Sequence, residues 1–284
     1  MLHKNFTDNN FTSSNGDKAM TNLIKQWLSY VELRRCDSTA KTYKSVMQTF
    51  IDTLPFKIVP CEIKPKHIEQ FIQVLRQNHA ANTTNTYLNI LKSFYHWAEN
   101  HHGFTNVTAH IARLREPDSK RRILSNIEYE HILCAAKNLD AKTVQFLANT
   151  GLRRNEFRFL TWADFNGDFV YVIGKGNKKR HVPLNKICKR VLDGGRSGDC
   201  PPFIKKYRPY NSLYKLCARL SQKANVPHFY PHSFRHFFAT RLIKAGVPLM
   251  VVSRILGHSD TQTTEKIYVH LVPDDLRVTD CLED

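Results

Sequence analysis

Residues 231–268 read PHSFRHFFATRLIKAGVPLMVVSRILGHSDTQTTEKIY, and the chain is organised around them. Pro231 suits the first position of a helix, where a missing N–H costs nothing. His232 and Arg235, three residues apart, then share one helical face. Phe234, Phe237, Phe238 and Leu242 point the other way, toward a core. Gly246 and Pro248 break the pattern, and a second helix reads from Leu249 to Leu256. Gly257 is a natural stop for it. His258 follows on the exit of that turn, and Tyr268 lies beyond Thr261–Thr264. One short region therefore presents two imidazoles, a guanidinium and a phenol at element ends or on polar faces.

The rest of the chain sets the context. Its 284 residues suggest about two domains. At 42% hydrophobic residues it can bury real cores. Lys and Arg exceed Asp and Glu by 42 to 25, a net charge of +17, which points to a polyanionic partner, most often nucleic acid. Charge alone leaves a ribosome-associated or simply basic protein open. Seven cysteines are scattered without a C-x-x-C pair, which argues for a reducing compartment and against a disulfide framework or a zinc site. No apolar run approaches the length of a membrane span, and no secretory h-region opens the sequence, so a cytoplasmic, nucleoid-associated protein with no membrane partner is expected.

Residues 1–18 are polar and read as a flexible arm. From about 19 to 112 four helical patterns follow one another with no strand signal. Leu23, Trp27 and Val31 mark the first. Ser38 is the expected cap of the second, whose core face is Tyr43, Val46, Met47, Phe50 and Leu54. Pro65 opens the third, and Thr83 or Thr84 precedes the fourth, which ends by Gly103. Residues 113–123 are charged and aperiodic, and read as a linker whose basic residues could track phosphates. A second domain, 124–284, opens with a capping box from Ser125 to Glu128. Ile127, Ile132, Leu133 and Ala136 mark its first helix. The next runs through Val144, Phe146 and Leu147 to Gly151, and Arg153 follows in TGLRRNE. Phe169–Ile173 and Arg180–Leu184 read as a hairpin around GKGNKK. The expected fold is mainly α with a small β-sheet, an all-α domain followed by an α+β domain.

The candidate chemistry is phosphodiester transfer without a metal. Extra charge on the non-bridging oxygens calls for guanidiniums, which stay charged and bind bidentately; Arg153 and Arg235 are the candidates. The nucleophile must be covalent, and Tyr268 fits. A phenol with a reference pKa of about 10 needs a base or a strongly positive site. His232 is the candidate base and His258 a donor to the phosphoryl oxygens. Lys175, on a glycine-flanked hairpin tip, is the candidate acid for the leaving alkoxide. Singly, each has a plainer reading. Arg153 could cap the preceding helix. Lys175 could be one more exposed lysine, His232 and His236 ordinary helix residues, and His258 a turn residue. Tyr268 is one of 11 tyrosines, most of which are packing residues.

Jointly they carry a resemblance. TGLRRNE, GKGNKKRHVPL, HSFRHFFATRL, LGH and a late Tyr followed by Val-His, in that order, resemble the tyrosine recombinase (phage integrase) family, in particular its short Xer-type members. The resemblance spans the whole second domain, and the helical first domain resembles that family's SAM-like core-binding domain. It implies that Arg153 and Arg235 clamp the scissile phosphate and that Lys175 protonates the leaving 5′ oxygen. It also implies that His232 assists Tyr268, that His258 bonds the phosphate, and that Tyr268 forms a 3′-phosphotyrosine link. Glu156 would orient its neighbours, and no metal, ATP or other cofactor would be needed. Arg154-Asn155 departs from the more usual small or aliphatic pair and adds charge beside the site. The implied partner is double-stranded DNA with inverted-repeat half-sites. It would be held in a two-domain clamp, by a monomer or dimer in solution that becomes a homo-tetramer on synapsed DNA, with a second recombinase or accessory protein left open. The alternatives are a type IB topoisomerase-like relaxation activity, a catalytically silent DNA-binding regulator, and a structural basic helical protein.

Overall fold

The computed structural model describes residues 16–54, 60–116, 122–174, 178–194, 196 and 198–257, with the backbone alone at 16 and 17. The chain forms two compact units, divided between Ser119 and Lys120, inside the stretch read as a linker.

The first unit is built from α1 (Gly16–Glu32), α2 (Asp37–Thr53), a 3₁₀ turn at Pro60–Glu62, α3 (Pro65–Asn78) and α4 (Ala81–His102). The apolar stripes read from sequence form its core, with Trp27, Met47, Phe50, Phe71, Leu91 and Phe94 fully buried. Trp27 is the pivot: it stacks on Tyr43 at 5.3 Å and meets Phe94 edge-on at 5.4 Å. Two expected caps are corrected. Cys36, not Ser38, is the N-cap of α2, and Ala80 precedes α4. Thr84 instead lies inside α4 and returns its hydroxyl to the Ala80 carbonyl at 3.2 Å, as helix-interior threonines do. Asn85 of α4 holds the backbone of Leu114: its amide donates to Leu114 O and Glu116, and its oxygen accepts from Leu114 N.

The second unit begins with the capping box, where Ser125 Oγ accepts from Glu128 N and Glu128 Oε2 accepts from Ser125 N. It opens α5 (Asn126–Ala135), then α6 (Leu139–Thr150) and α7 (Arg154–Arg158). The sheet is β1 (Phe165–Asn166), β2 (Phe169–Ile173) and β3 (Lys179–Pro183), antiparallel in the order β1-β2-β3. Among the described residues, five more helices follow: α8 (Lys186–Leu192), α9 (Pro202–Lys206), α10 (Ser212–Lys223), α11 (Pro231–Lys244) and α12 (Leu249–Leu256). The β3 strand begins one residue earlier than its apolar pattern suggests. Ile127 is 70% exposed, and Tyr129 takes its place in the core, stacked on Phe237 at 4.8 Å.

The largest correction concerns α11. Arg235 does not share an outward face with the exposed His232. Arg235, His236 and Thr240 are buried along with Phe234, Phe237 and Phe238, because α6 packs on one side and α12 on another. Among the described residues, no helix is long and apolar enough to cross a membrane.

Candidate functional site

The site is assembled around one helix end. Gly257 closes α12 at φ 66°, a left-handed conformation that suits glycine. The last carbonyls of such a helix have no intrahelical partner and carry the negative end of its dipole. Here three consecutive carbonyls each accept from a different arginine. Arg180 Nε donates to Ile255 O at 2.7 Å, Arg235 Nη2 to Leu256 O at 2.7 Å, and Arg153 Nη2 to Gly257 O at 2.9 Å. Arg153 comes from the α6–α7 junction, Arg180 from β3 and Arg235 from α11. Arg235 Nη1 also donates to Gly151 O at 2.9 Å, so both of its terminal nitrogens are tied to helix-end carbonyls and its plane is fixed.

Glu156 balances the charge. Its Oε1 accepts from Arg153 Nη1 at 2.9 Å and Arg180 Nη1 at 2.7 Å, and its Oε2 from Arg180 Nη2 at 2.8 Å and Arg153 N at 2.7 Å. Burial pushes this carboxyl's pKa up. The Arg180 hydrogen bonds and charge, then those of Arg153, overcome that and hold it at about 2. Three guanidiniums against one carboxylate leave the cluster positively charged. Arg153 is its accessible member, with a side chain 29% exposed, whereas Arg235 is only 2% exposed. His232 is exposed in the first turn of α11, where the positive end of the helix favours an anion. Its ring meets that of the buried His236 edge-on at 5.5 Å. The extra charge at Arg154 is stacked over the Tyr210 ring at 3.9 Å and reaches Tyr214 at 5.1 Å.

The structure thus brings Arg153 and Arg235 to one helix end. Arg153 does cap a helix, but it is α12 rather than the preceding α6. Lys175, His258 and Tyr268 lie outside the described residues. Two of them follow described residues: Gly257 precedes His258, and Gly174 precedes Lys175. A Cβ on Gly174 would sit 3.5 Å from both Arg180 Nη1 and Glu156 Oε1, so the root of the hairpin tip adjoins the cluster. Arg180 is the residue that sequence reasoning missed. Strand alternation held the signal, since Arg180 pairs with Val172 and shares the inward face with Val182. Among the described residues, no group of three His, Cys, Asp or Glu side chains is placed to hold a metal ion.

These arginines fall within residues 116–274, more than half of the chain, which match the model of the phage integrase family. The chain belongs to that family. Residues 23–102 match its N-terminal SAM-like domain. Relatives along nearly the whole length are tyrosine recombinases. XerC of Pediococcus pentosaceus is 25% identical over 91% of this chain and 95% of its own. XerD of Listeria monocytogenes is 25% identical over 89% and 95%. The fold is shared with a lambda integrase dimer bound to a COC′ core site, at a TM-score of 0.73 and 18% identity over 86% of this chain and 96% of that one. It is also shared with the Tn1549 transposon integrase in complex with a circular intermediate DNA, at 0.74 and 15% over 93% and 99%.

Proposed function

We propose that this integrase-family protein is a site-specific tyrosine recombinase that cuts and rejoins DNA through Tyr268. The observation that carries the reading is the bonding of Arg153 and Arg235 to the successive carbonyls Gly257 O and Leu256 O. It joins TGLRRNE and HSFRH, far apart in sequence, to Leu256 and Gly257 at one electropositive point. In the reaction, the Tyr268 phenol oxygen forms a bond to the scissile phosphorus and the bond from phosphorus to the 5′ oxygen breaks. His232 takes the phenol proton, and Lys175 gives one to the departing 5′ oxygen. Arg153, Arg235 and His258 stabilise the charge that builds on the non-bridging oxygens. The phosphotyrosine retains the diester's free energy, so religation needs neither ATP nor a metal ion.

The proposed substrate is double-stranded DNA with inverted half-sites, bound by the helical unit (19–112) and the catalytic unit (124–284) joined through 113–123. Strand exchange would take place in a homo-tetramer through a Holliday junction, in the cytoplasm. A solved lambda integrase tetramer bound to a Holliday junction has this fold, at a TM-score of 0.73 and 19% identity over 94% of this chain and 81% of that one, and supports the reading. A nicked suicide substrate tests it. Tyr268→Phe should bind the site normally and form no covalent adduct. An adduct that persists in Tyr268→Phe removes Tyr268 as the nucleophile.

A further inference from the structure

The three nitrogens of the Arg180 guanidinium tie together two different parts of the proposed site. Nε holds Ile255 O, three residues before His258. Nη1 and Nη2 hold the two oxygens of Glu156, which in turn fix both the backbone N–H and the guanidinium of Arg153. The side chain also fills the space over Gly257, where an added Cβ would stand 2.7 Å from Arg180 Cδ and 3.0 Å from its Nε. Real Cβ contacts are not that close, so Gly257 is small because Arg180 passes there. An ion pair at this depth is weak grounds for stability, since apolar replacements of buried pairs are often neutral or stabilising. The connectivity is what distinguishes it. No apolar side chain could hold a carboxylate by both oxygens and a helix-end carbonyl at once.

We propose that Arg180 is the positioning residue of the phosphate clamp: it holds Glu156, and through it Arg153, in register with the end of α12 from which His258 follows. This rests on the recombinase reading above. Arg180 touches no reacting atom in this scheme. It sets where two phosphate-binding groups stand relative to each other, and an ångström of misplacement is enough to slow a positioned reaction about 100-fold.

The test uses the full-length protein and two suicide substrates, one with the natural 5′ oxygen leaving group and one with a 5′ sulfur, which departs without a proton. Arg180→Lys keeps the charge and loses the fork; Arg180→Gln loses both. Thermal unfolding fixes a temperature at which each variant is folded, and if Arg180→Gln does not fold, Arg180→Lys alone decides. Both variants should bind site DNA within about twofold of wild type and cleave the oxygen substrate about 10- to 100-fold more slowly in single turnover. The sulfur substrate should rescue Lys175→Ala and leave the Arg180 variants slow. Wild-type cleavage by folded Arg180→Lys overturns the proposal. So does rescue of the Arg180 variants by sulfur, which would put Arg180 behind the acid instead of the clamp. If the wild-type protein forms no adduct on either substrate, the recombinase reading falls and this one with it.

Discussion

Glu156 and Arg180 face each other in a two-pronged ion pair, Oε1 to Nη1 at 2.7 Å and Oε2 to Nη2 at 2.8 Å, with both side chains at least nine-tenths buried. The carboxyl's pKa of about 2 lies below its usual 4.5. A group whose pKa falls on folding contributes stability that is complete above the unfolded value and is lost as pH drops toward the folded one. The catalytic unit should therefore lose this contribution between about pH 4.5 and about pH 2. Glu156→Gln should be less stable at pH 7 by about 3–5 kcal/mol, because two guanidiniums lose their counter-charge. Urea midpoints for both proteins from pH 7 down to pH 2.5 check this. The gap should narrow below pH 4.5, and a constant gap would show that Glu156 is not the acid-sensitive group.

Arg235 separates stability from catalysis. Arg235→Ala leaves Gly151 O and Leu256 O without their donor in a buried site, and each such carbonyl costs about 1–3 kcal/mol. Its unfolding midpoint should drop sharply. Arg235→Lys keeps the charge but cannot bridge two carbonyls in one plane. It should unfold closer to wild type and still cleave DNA about 100-fold more slowly. Thermal melts beside single-turnover cleavage give both numbers, and equal cleavage by Arg235→Lys and wild type would refute a fixed guanidinium at this position.

Gly151 ends α6 at φ 60°, and a Cβ there would lie 2.4 Å from Phe238 Cδ1. Gly151→Ala therefore meets both the left-handed penalty of about 1–2 kcal/mol and a ring it would have to displace. Only the second part depends on Phe238. In a Phe238→Leu background the same substitution should be less damaging, and a double-mutant cycle measures the difference. Additive effects would mean that the backbone conformation alone sets the requirement for glycine.

Much of this architecture is legible in the sequence, where long amphipathic stripes and helix-end residues coincide. Pro65, the Ser125–Glu128 box, Pro231, Gly103, Gly151 and Gly257 all mark real helix ends. The seven residues of α8 and the five of α9 are too short to show a helical period in the sequence. Ser38 and Thr84 misled for a local reason: a hydroxyl signals a cap only when the backbone ahead of it is extended, and the residues that are extended here are Cys36 and Ala80. In the site, the arginines of TGLRRNE and HSFRH could be singled out by residue type. Their depth could not, because the burial of Arg235 depends on α6 and α12 closing around α11, contacts between segments distant in sequence. Arg180 shows in the sequence only as the first residue of the return strand, and its bonds to Glu156 and Ile255 O join segments distant in sequence.

The same distinction between internal and available charge bears on DNA binding. A net charge of +17 overstates what can reach phosphates, since Arg180, Arg122 and Arg219 are each bound to a carboxylate. Of the basic residues at 113–123, Arg122 pairs with Glu128 and donates to Pro227 O and His228 O, and Arg113 pairs with Glu116. Arg115 is exposed. Each phosphate contact contributes about 0.9 to the slope of log affinity against log salt. Arg115→Ala should thus weaken binding to any duplex and lower that slope by about 1. Arg122→Ala should leave the slope unchanged and lower the melting temperature of the catalytic unit. Salt titrations of both variants on specific and non-specific duplexes decide it. A slope change confined to Arg122→Ala would reverse the assignment and make Arg122 the phosphate contact.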